Sequence, residues 1–199
     1  MASETDLRAT LPMRRWTRPE YERLGEVGVL GPDERTELLE GVIVPVAPRS
    51  SRHATGVLRV ERALLKVCPK GYHVRTQLPL ALGDASEPEP DIAVVPGTIE
   101  DYENGHPKTA LLVVEVSDRS LRVDRDAKAT LYANAGIPVY WIVNLEEGQL
   151  EVHEDPSPAT SSLRGYRSRR IFVTGESVIV PRSEAVIAVA SLLLKGTPG

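Results

Sequence analysis

The chain has 199 residues, of which 41% are hydrophobic and 26% charged, and its formal net charge is -4. This length suffices for one domain with a good core, and the composition is that of an ordinary globular protein. The acidic balance argues against a broad basic surface for nucleic acid, although a local basic patch over an acidic centre is compatible with it. No apolar run reaches the roughly 20 residues of a membrane span, and residues 1–10 lack a secretory pattern. We therefore expect no membrane association, and the single cysteine, Cys68, suggests a reducing cytoplasm.

The first half of the chain predicts a flexible start followed by mixed elements. Residues 1–14 are polar and flexible, and a short helix covers residues 18–24. Residues 37–44 form a strand or hairpin that turns near Glu40 and Gly41. Apolar residues at helical spacing predict a helix over residues 53–67, and strands follow at residues 72–82 and 91–95.

The second half continues the alternation of strands and helices. The pattern predicts a buried strand at residues 111–116, a helix at 120–135 and another buried strand at 139–145. Short strands follow at residues 149–153, 170–173 and 177–180, the last two around a turn at Gly175, and a short helix covers residues 186–194. This order predicts a single α/β domain over residues 15–195, with a mixed sheet flanked by helices and extra strands at the C-terminal end.

Glu115 is the most informative residue, because it interrupts an otherwise apolar strand. An ionised carboxylate inside a buried strand is costly unless a partner compensates it. Glu115 therefore predicts a site, against the alternatives of a sheet-edge acid or a structural salt bridge.

Asp91 supplies a second acid at the start of the preceding strand, directly after Pro90. A turn-capping role is the alternative for an Asp beside Pro. If the two strands are adjacent, the carboxylates of Asp91 and Glu115 converge and repel unless a cation lies between them. A hard divalent ion such as Mg²⁺ meets that need with two carboxylates, water and phosphate oxygens.

The helix after Glu115 carries Asp124, Lys128 and Tyr132 at intervals of four residues, hence on one face. A lysine beside a metal ion can stabilise charge on a phosphate or position the attacking water. The alternative for Lys128 is a surface lysine paired with Asp124.

The order of these residues resembles the PD-(D/E)xK nuclease superfamily. Pro90-Asp91 and Glu115 match its two acids, whereas its lysine, two residues after the second acid, is replaced here by Ser117. A known variation moves the lysine to the following helix, where Lys128 stands.

A closer resemblance is to the Uma-two-type family of restriction-endonuclease-like bacterial proteins. It rests on the sequence motifs at residues 37–41, 48–53, 89–91 and 114–117, on Asp124, Lys128 and Tyr132, and on residues 136–141. The resemblance covers roughly residues 15 to 155. It implies a restriction-endonuclease-like fold and a metal-dependent phosphodiesterase site.

The resemblance does not itself imply a substrate, and from the acids, the lysine and the implied phosphodiesterase site together we expect an endonuclease that hydrolyses DNA with Mg²⁺ or Mn²⁺. Asp91 and Glu115 would hold the metal, and Lys128 would be the third catalytic residue. Candidate accessory residues are Glu40, with Glu37 as its rival, His53 and Asp124. A homodimer would suit double-strand cutting.

The best basic patch lies near the C-terminal end, with Tyr166 interleaved among arginines. As a strip that contacts the nucleic-acid backbone it would use Arg164, Arg167, Arg169 and Arg170. Two other functions stay open: a catalytically silent nuclease-fold module that binds nucleic acid or protein, and a hydrolase of a small phosphorylated substrate.

Overall fold

The computed structural model describes residues 13–31, 33–157 and 165–196. Most of the segment predicted to be flexible, residues 1–12, lies outside the described ranges. Within these ranges, no helix is both long and apolar enough to cross a membrane.

The described chain opens with a capped helix and a hairpin. Helix α1 (Arg18–Glu26) begins at Thr17, whose side chain forms a capping box with Glu20. Strands β1 (Thr36–Leu39) and β2 (Val42–Pro45) pair antiparallel. The two residues between them, Glu40 and Gly41, both have positive φ (48° and 78°), as a two-residue hairpin turn requires.

Six strands form one mixed sheet in the order β3-β4-β5-β6-β7-β8. Only β5 and β6 are parallel, and every other neighbouring pair is antiparallel. The parallel pair requires a crossover, which the helical segments after β5 supply. The strands are β3 (Tyr72–Thr76), β4 (Ile92–Pro96), β5 (Leu112–Ser117), β6 (Val139–Asn144), β7 (Gln149–Pro156) and β8 (Tyr166–Val173).

Helices cover both faces of this sheet, which explains why β4, β5 and β6 are almost entirely buried. Helix α2 (Ser51–Leu65) packs Val57, Val60 and Leu64 on one face, against Val114 and Trp141 among others. The predicted α/β class, a mixed sheet flanked by helices, is therefore confirmed.

The helical crossover on the other face is not the single regular helix predicted for residues 120–135. It consists of α3 (Leu121–Val123), a π-helical segment (Asp124–Lys128) and α4 (Ala129–Asn134). Short π-helical stretches within a helix are rare and frequently occur at functional sites. Leu131 and Tyr132 of α4 pack onto the sheet face that carries Ala93, Val113 and Ile142.

Two element predictions are wrong. The strand expected over residues 72–82 ends at Thr76, because Gln77 has a φ of 52°, outside the extended region. Strands do flank the turn at Gly175, as predicted, and they lie in different sheets, since β8 pairs with β7 and β9 (Ser177–Ile179) pairs with β10 (Val186–Ala188). The helix predicted over residues 186–194 is confined to α5 (Val189–Leu192), because β10 takes its first residues.

Gly56 allows α2 to lie directly against β5 and the turn after β6. A Cβ at this position would lie 2.7 Å from Val116 Cγ1 and 3.3 Å from Leu145 Cδ1. Both neighbours are buried, so neither side chain can swing away from the added methyl group.

We predict that Gly56→Ala destabilises the protein by about 1 kcal/mol in urea unfolding. The overpacking cost of about 1–3 kcal/mol exceeds the gain of about 1 kcal/mol in helix propensity. The matched control is Gly25→Ala in α1, where an added Cβ meets nothing within 4 Å. A Gly56→Ala protein as stable as this control would contradict the packing described here.

Candidate active site

The pairing of β4 with β5 brings the two predicted acids together. Ile92 lies opposite Val114, so the antiparallel register places Asp91 and Glu115 at the next paired position. Residues directly opposite in such a ladder project from the same face. Asp91 Oδ2 also accepts a hydrogen bond of 2.9 Å from the backbone N–H of Val116, and both acids are buried.

Lys128 turns back from the π-helical segment onto Glu115. Its Nζ donates to Glu115 Oε1 at 2.9 Å and lies 3.6 Å from Glu37 Oε1. No ion pair within 4.0 Å joins Lys128 to Asp124 among the described residues. Lys128 is therefore not the surface partner of Asp124, and its ammonium stands between two carboxylates.

Tyr132 fixes the same carboxylate from one turn further along the helix. Its hydroxyl donates to Glu115 Oε1 at 2.7 Å, and its ring is completely buried. Glu115 Oε2 has no hydrogen-bond partner within the described part of the chain. Both of these hydrogen bonds therefore hold the same oxygen of Glu115.

Asp91 is held by three groups from three parts of the fold. Besides the Val116 N–H, His53 Nε2 lies 3.0 Å from Asp91 Oδ2, and Gln77 Nε2 donates to Oδ1 at 3.3 Å. His53 can reach Asp91 because Ser50 caps α2 and starts the helix at this point. Burial raises the pKa of Asp91, but the hydrogen bond and charge of His53 and the Val116 N–H outweigh burial and lower it.

The electrostatics of this site are dominated by excess buried acid. Burial raises the pKa of Glu115, Glu37 and Asp124, and in Glu115 the neighbouring carboxylates raise it further. Burial lowers the pKa of Lys128, but the charges of Glu115, Glu37 and Asp124 outweigh burial, so the pKa of Lys128 is raised overall. Lys128 is therefore a permanent cation near neutral pH, and it faces four buried acids, counting Asp91.

These donors fit a hard divalent ion. Buried oxygen donors with surplus negative charge are what Mg²⁺ and Mn²⁺ bind, and Mg²⁺ in particular uses one or two carboxylates plus water. No group of three or more His, Cys, Asp or Glu side chains that could hold a metal ion occurs in the described ranges. The residues therefore fit a site in which Asp91 and Glu115 supply two carboxylate ligands, while water and substrate oxygens would supply the remaining ligands.

The accessory acid beside Lys128 is Glu37, whereas Glu40 was the favoured sequence candidate. Glu40 lies in the hairpin turn, is exposed, and accepts a hydrogen bond from Asn134 Nδ2 at 3.3 Å. Glu37 lies within β1, is buried, and also accepts from the N–H of Glu89 at 3.2 Å. The predicted hairpin favours Glu37 as the buried acid, because side chains in the turn face solvent while those in the strands can face the core.

Asp124 and Ser117 complete the surroundings of Lys128. Asp124 is 2% exposed, and its Oδ2 accepts a hydrogen bond of 2.5 Å from the Ser120 hydroxyl. Ser117, at the position where the common motif has lysine, is buried with its hydroxyl 3.5 Å from that of Ser120. The lysine absent from β5 is thus replaced in space by Lys128.

The predicted basic strip is compensated by acids. Arg167 pairs with Asp155 at 3.1 Å, Arg169 with Glu151 at 2.9 Å, and Arg170 with Glu154 at 2.5 Å. Arg164 lies outside the described residues. Each of the three described arginines of the strip therefore has an acid partner, and the role of the strip in nucleic-acid contact stays a prediction.

The fold and the acid–lysine cluster define a restriction-endonuclease-like protein. The family model Uma2, whose description is "Putative restriction endonuclease", matches residues 18–189, and the chain belongs to this family. A crystal structure from Anabaena variabilis, titled as a "putative nuclease belonging to DUF820", is similar with a TM-score of 0.61 and 18% identity. The similarity covers 80% of this chain and 90% of that one, and it establishes the fold. None of the curated proteins compared with the chain matches it.

We predict that Lys128→Met lowers the free energy of unfolding by about 3–5 kcal/mol, since it leaves buried carboxylates without their cation. Urea unfolding at neutral pH in EDTA measures the change. Lys66→Met is the control, because Lys66 is exposed and pairs with no acid in the described ranges. Equal stability of the two variants would show that Lys128 compensates no buried charge.

A second prediction concerns the buried Glu151, which receives Arg125 and Arg169. Burial raises the pKa of Glu151, but nearby His153, Arg125 and Arg169 outweigh it and lower the pKa from 4.5 to about 2. A group whose pKa is lowered by folding contributes its full stabilisation above its pKa in the unfolded protein. This stabilisation is lost as the pH falls through its pKa in the folded protein.

Wild type should therefore lose stability more steeply than Glu151→Gln between pH 4.5 and about 2. Urea midpoints measured across this range test the difference. Glu154→Gln, which alters an exposed pair, should keep the wild-type slope. Parallel profiles for wild type and Glu151→Gln would refute the prediction.

Proposed function

We propose that this protein is a metal-dependent endonuclease that hydrolyses phosphodiester bonds of DNA. The observation that carries the proposal is the contact of 2.9 Å between the largely buried Lys128 ammonium and Glu115 Oε1. Glu115 lies on β5, and the register of β5 with β4 brings Asp91 beside it. The Uma2 family membership supports the same class of reaction.

Asp91 and Glu115 are proposed to hold Mg²⁺ or Mn²⁺ through their carboxylates. A bound divalent ion supplies Lewis acidity toward a phosphate and lowers the pKa of water. His53 and Gln77 keep Asp91 oriented, while Tyr132 keeps Glu115 oriented. These three contacts hold the two ligands in place before substrate arrives.

Lys128 is proposed to stabilise the negative charge that develops on the phosphate oxygens. Because its pKa is raised, it stays protonated, so electrostatic stabilisation fits it better than proton abstraction. In the overall reaction a water oxygen bonds to phosphorus, the P–O bond to the leaving sugar oxygen breaks, and that oxygen takes up a proton. Glu37 would hold Lys128 in position from the side opposite Glu115.

We predict that Asp91→Asn, Glu115→Gln and Lys128→Met each reduce Mg²⁺-dependent plasmid nicking by roughly 10²-fold or more, as removal of a group that stabilises the transition state does. Glu37→Gln should lose activity in part, because it acts through Lys128. Glu40→Gln is the matched acidic control and should keep wild-type activity. Circular dichroism and urea midpoints confirm that each variant is folded under the assay conditions.

Nicking that survives all three core substitutions would rule out this site as its source. Wild-type protein that binds DNA with a salt-dependent affinity, yet never nicks it with Mg²⁺ or Mn²⁺, would instead identify a silent nuclease-fold module.

A further inference from the structure

Two guanidinium groups lie near the acids of the candidate active site, and neither belongs to the site described above. Arg35 precedes β1 and donates to Glu89 Oε2 at 2.9 Å. Glu89 lies two residues before Asp91, and its N–H donates to Glu37. Arg35 is therefore joined to the same segment that carries the proposed metal ligand.

Arg49 lies on the loop between β2 and α2, and this loop is fastened at both ends beside the site. At one end, the N–H of Val46 donates to the carbonyl of Arg35 at 2.9 Å. At the other, the hydroxyl of Ser50 donates to Asp118 Oδ2 at 2.6 Å, just beyond the strand that carries Glu115. One turn further on, His53 contacts Asp91. The loop thus extends along the site from the Arg35 side to the end of β5.

The guanidinium of Arg49 is uncompensated. Arg49 is exposed and makes no hydrogen bond or ion pair with any described residue. The charges that act on it are those of Arg35 and of the carboxylates of Asp91, Glu89 and Glu37. Burial and the charge of Arg35 lower the pKa of Arg49, and the three carboxylates only partly offset them.

The positive charges of Arg35 and Arg49 repel each other, and an anion bound by both would relieve that repulsion. The planar fork of arginine suits the oxygens of a phosphate, which it can bind with two parallel hydrogen bonds. Arg35 already uses one NH₂ group on Glu89, whereas Arg49 uses none within the described ranges. The guanidinium of Arg49 is therefore the one that can bind a phosphate with all of its donors.

We propose that Arg49, supported by Arg35, binds a backbone phosphate of the nucleic-acid substrate at the entrance of the active site. This inference rests on the proposed function and adds the residue that captures the substrate. The protein has a formal net charge of -4, and the described arginines of the basic strip pair with acids. A cationic residue at the entrance would therefore attract the polyanionic substrate to the buried acids. Arg49 acts in binding and is not assigned to the chemical step.

The test compares Arg49→Ala with Arg62→Ala. Arg62 is also exposed, also lacks an acid partner in the described ranges, and lies on the distal half of α2. Both variants therefore remove one uncompensated arginine from the surface. Binding of a fluorescently labelled DNA duplex is measured by anisotropy over a series of salt concentrations, with CaCl₂ in place of MgCl₂, and Mg²⁺-dependent nicking is measured in parallel.

Arg49→Ala should weaken binding by about 10-fold and reduce the slope of log K against log salt by about 1, as the loss of one phosphate contact does. Its KM for nicking should rise more than its kcat falls. Arg49→Lys should recover part of the affinity, since it keeps the charge and loses the fork. Arg62→Ala should match wild type in all of these measurements.

If wild type binds and nicks DNA, and Arg49→Ala behaves like Arg62→Ala, the inference is wrong while the proposed function stands. If Arg49→Ala lowers kcat alone, its role in binding is also refuted. If wild type neither binds nor nicks DNA, the proposed function and this inference fall together.

Discussion

The contact between Lys128 Nζ and Glu115 Oε1 is the interaction on which the rest of the site depends. Glu115 lies within a strand that is buried along its whole length, where an isolated carboxylate would cost several kcal/mol. Lys128 compensates that charge, and Glu37 holds the ammonium from another side. Asp91 and Asp124 are also buried nearby, so the single positive charge of Lys128 does not balance the negative charges of the acids around it. This surplus of negative charge is the physical basis for proposing a divalent ion.

The surrounding fold has features that allow this contact. The β4–β5 register sets Asp91 opposite Glu115, and the crossover from β5 to β6 carries Lys128 and Tyr132 back over the same sheet face. The crossover is π-helical from Asp124 to Lys128, which alters the spacing of a regular helix at the point where the lysine must reach the strand. On the opposite face, Gly56 allows α2 to approach β5 closely, and the first turn of this helix brings His53 to Asp91.

The sequence predicted the sheet, its flanking helices and the identity of the acids and lysine that meet. It could do so because a charged residue inside an apolar strand is conspicuous, and because neighbouring strands in a sheet align their side chains. It favoured Glu40 over Glu37, although Glu37 lies in a strand of the hairpin and is buried, whereas Glu40 lies in the turn and is exposed. Tyr132 was not among the predicted site residues, although its phenol reaches Glu115. The acid partners of the basic strip could not be predicted, because they depend on the register between β7 and β8.

Asp91 and Glu115 are proposed to form together a binding site for a divalent ion. The most direct measurement is a Mn²⁺ titration followed by electron paramagnetic resonance, with wild type, Asp91→Asn, Glu115→Gln and Glu40→Gln compared under identical conditions. We expect one bound Mn²⁺ per chain in wild type and Glu40→Gln, and a loss of binding in Asp91→Asn and Glu115→Gln. Absence of binding in wild type, or equal binding in all four proteins, would contradict it.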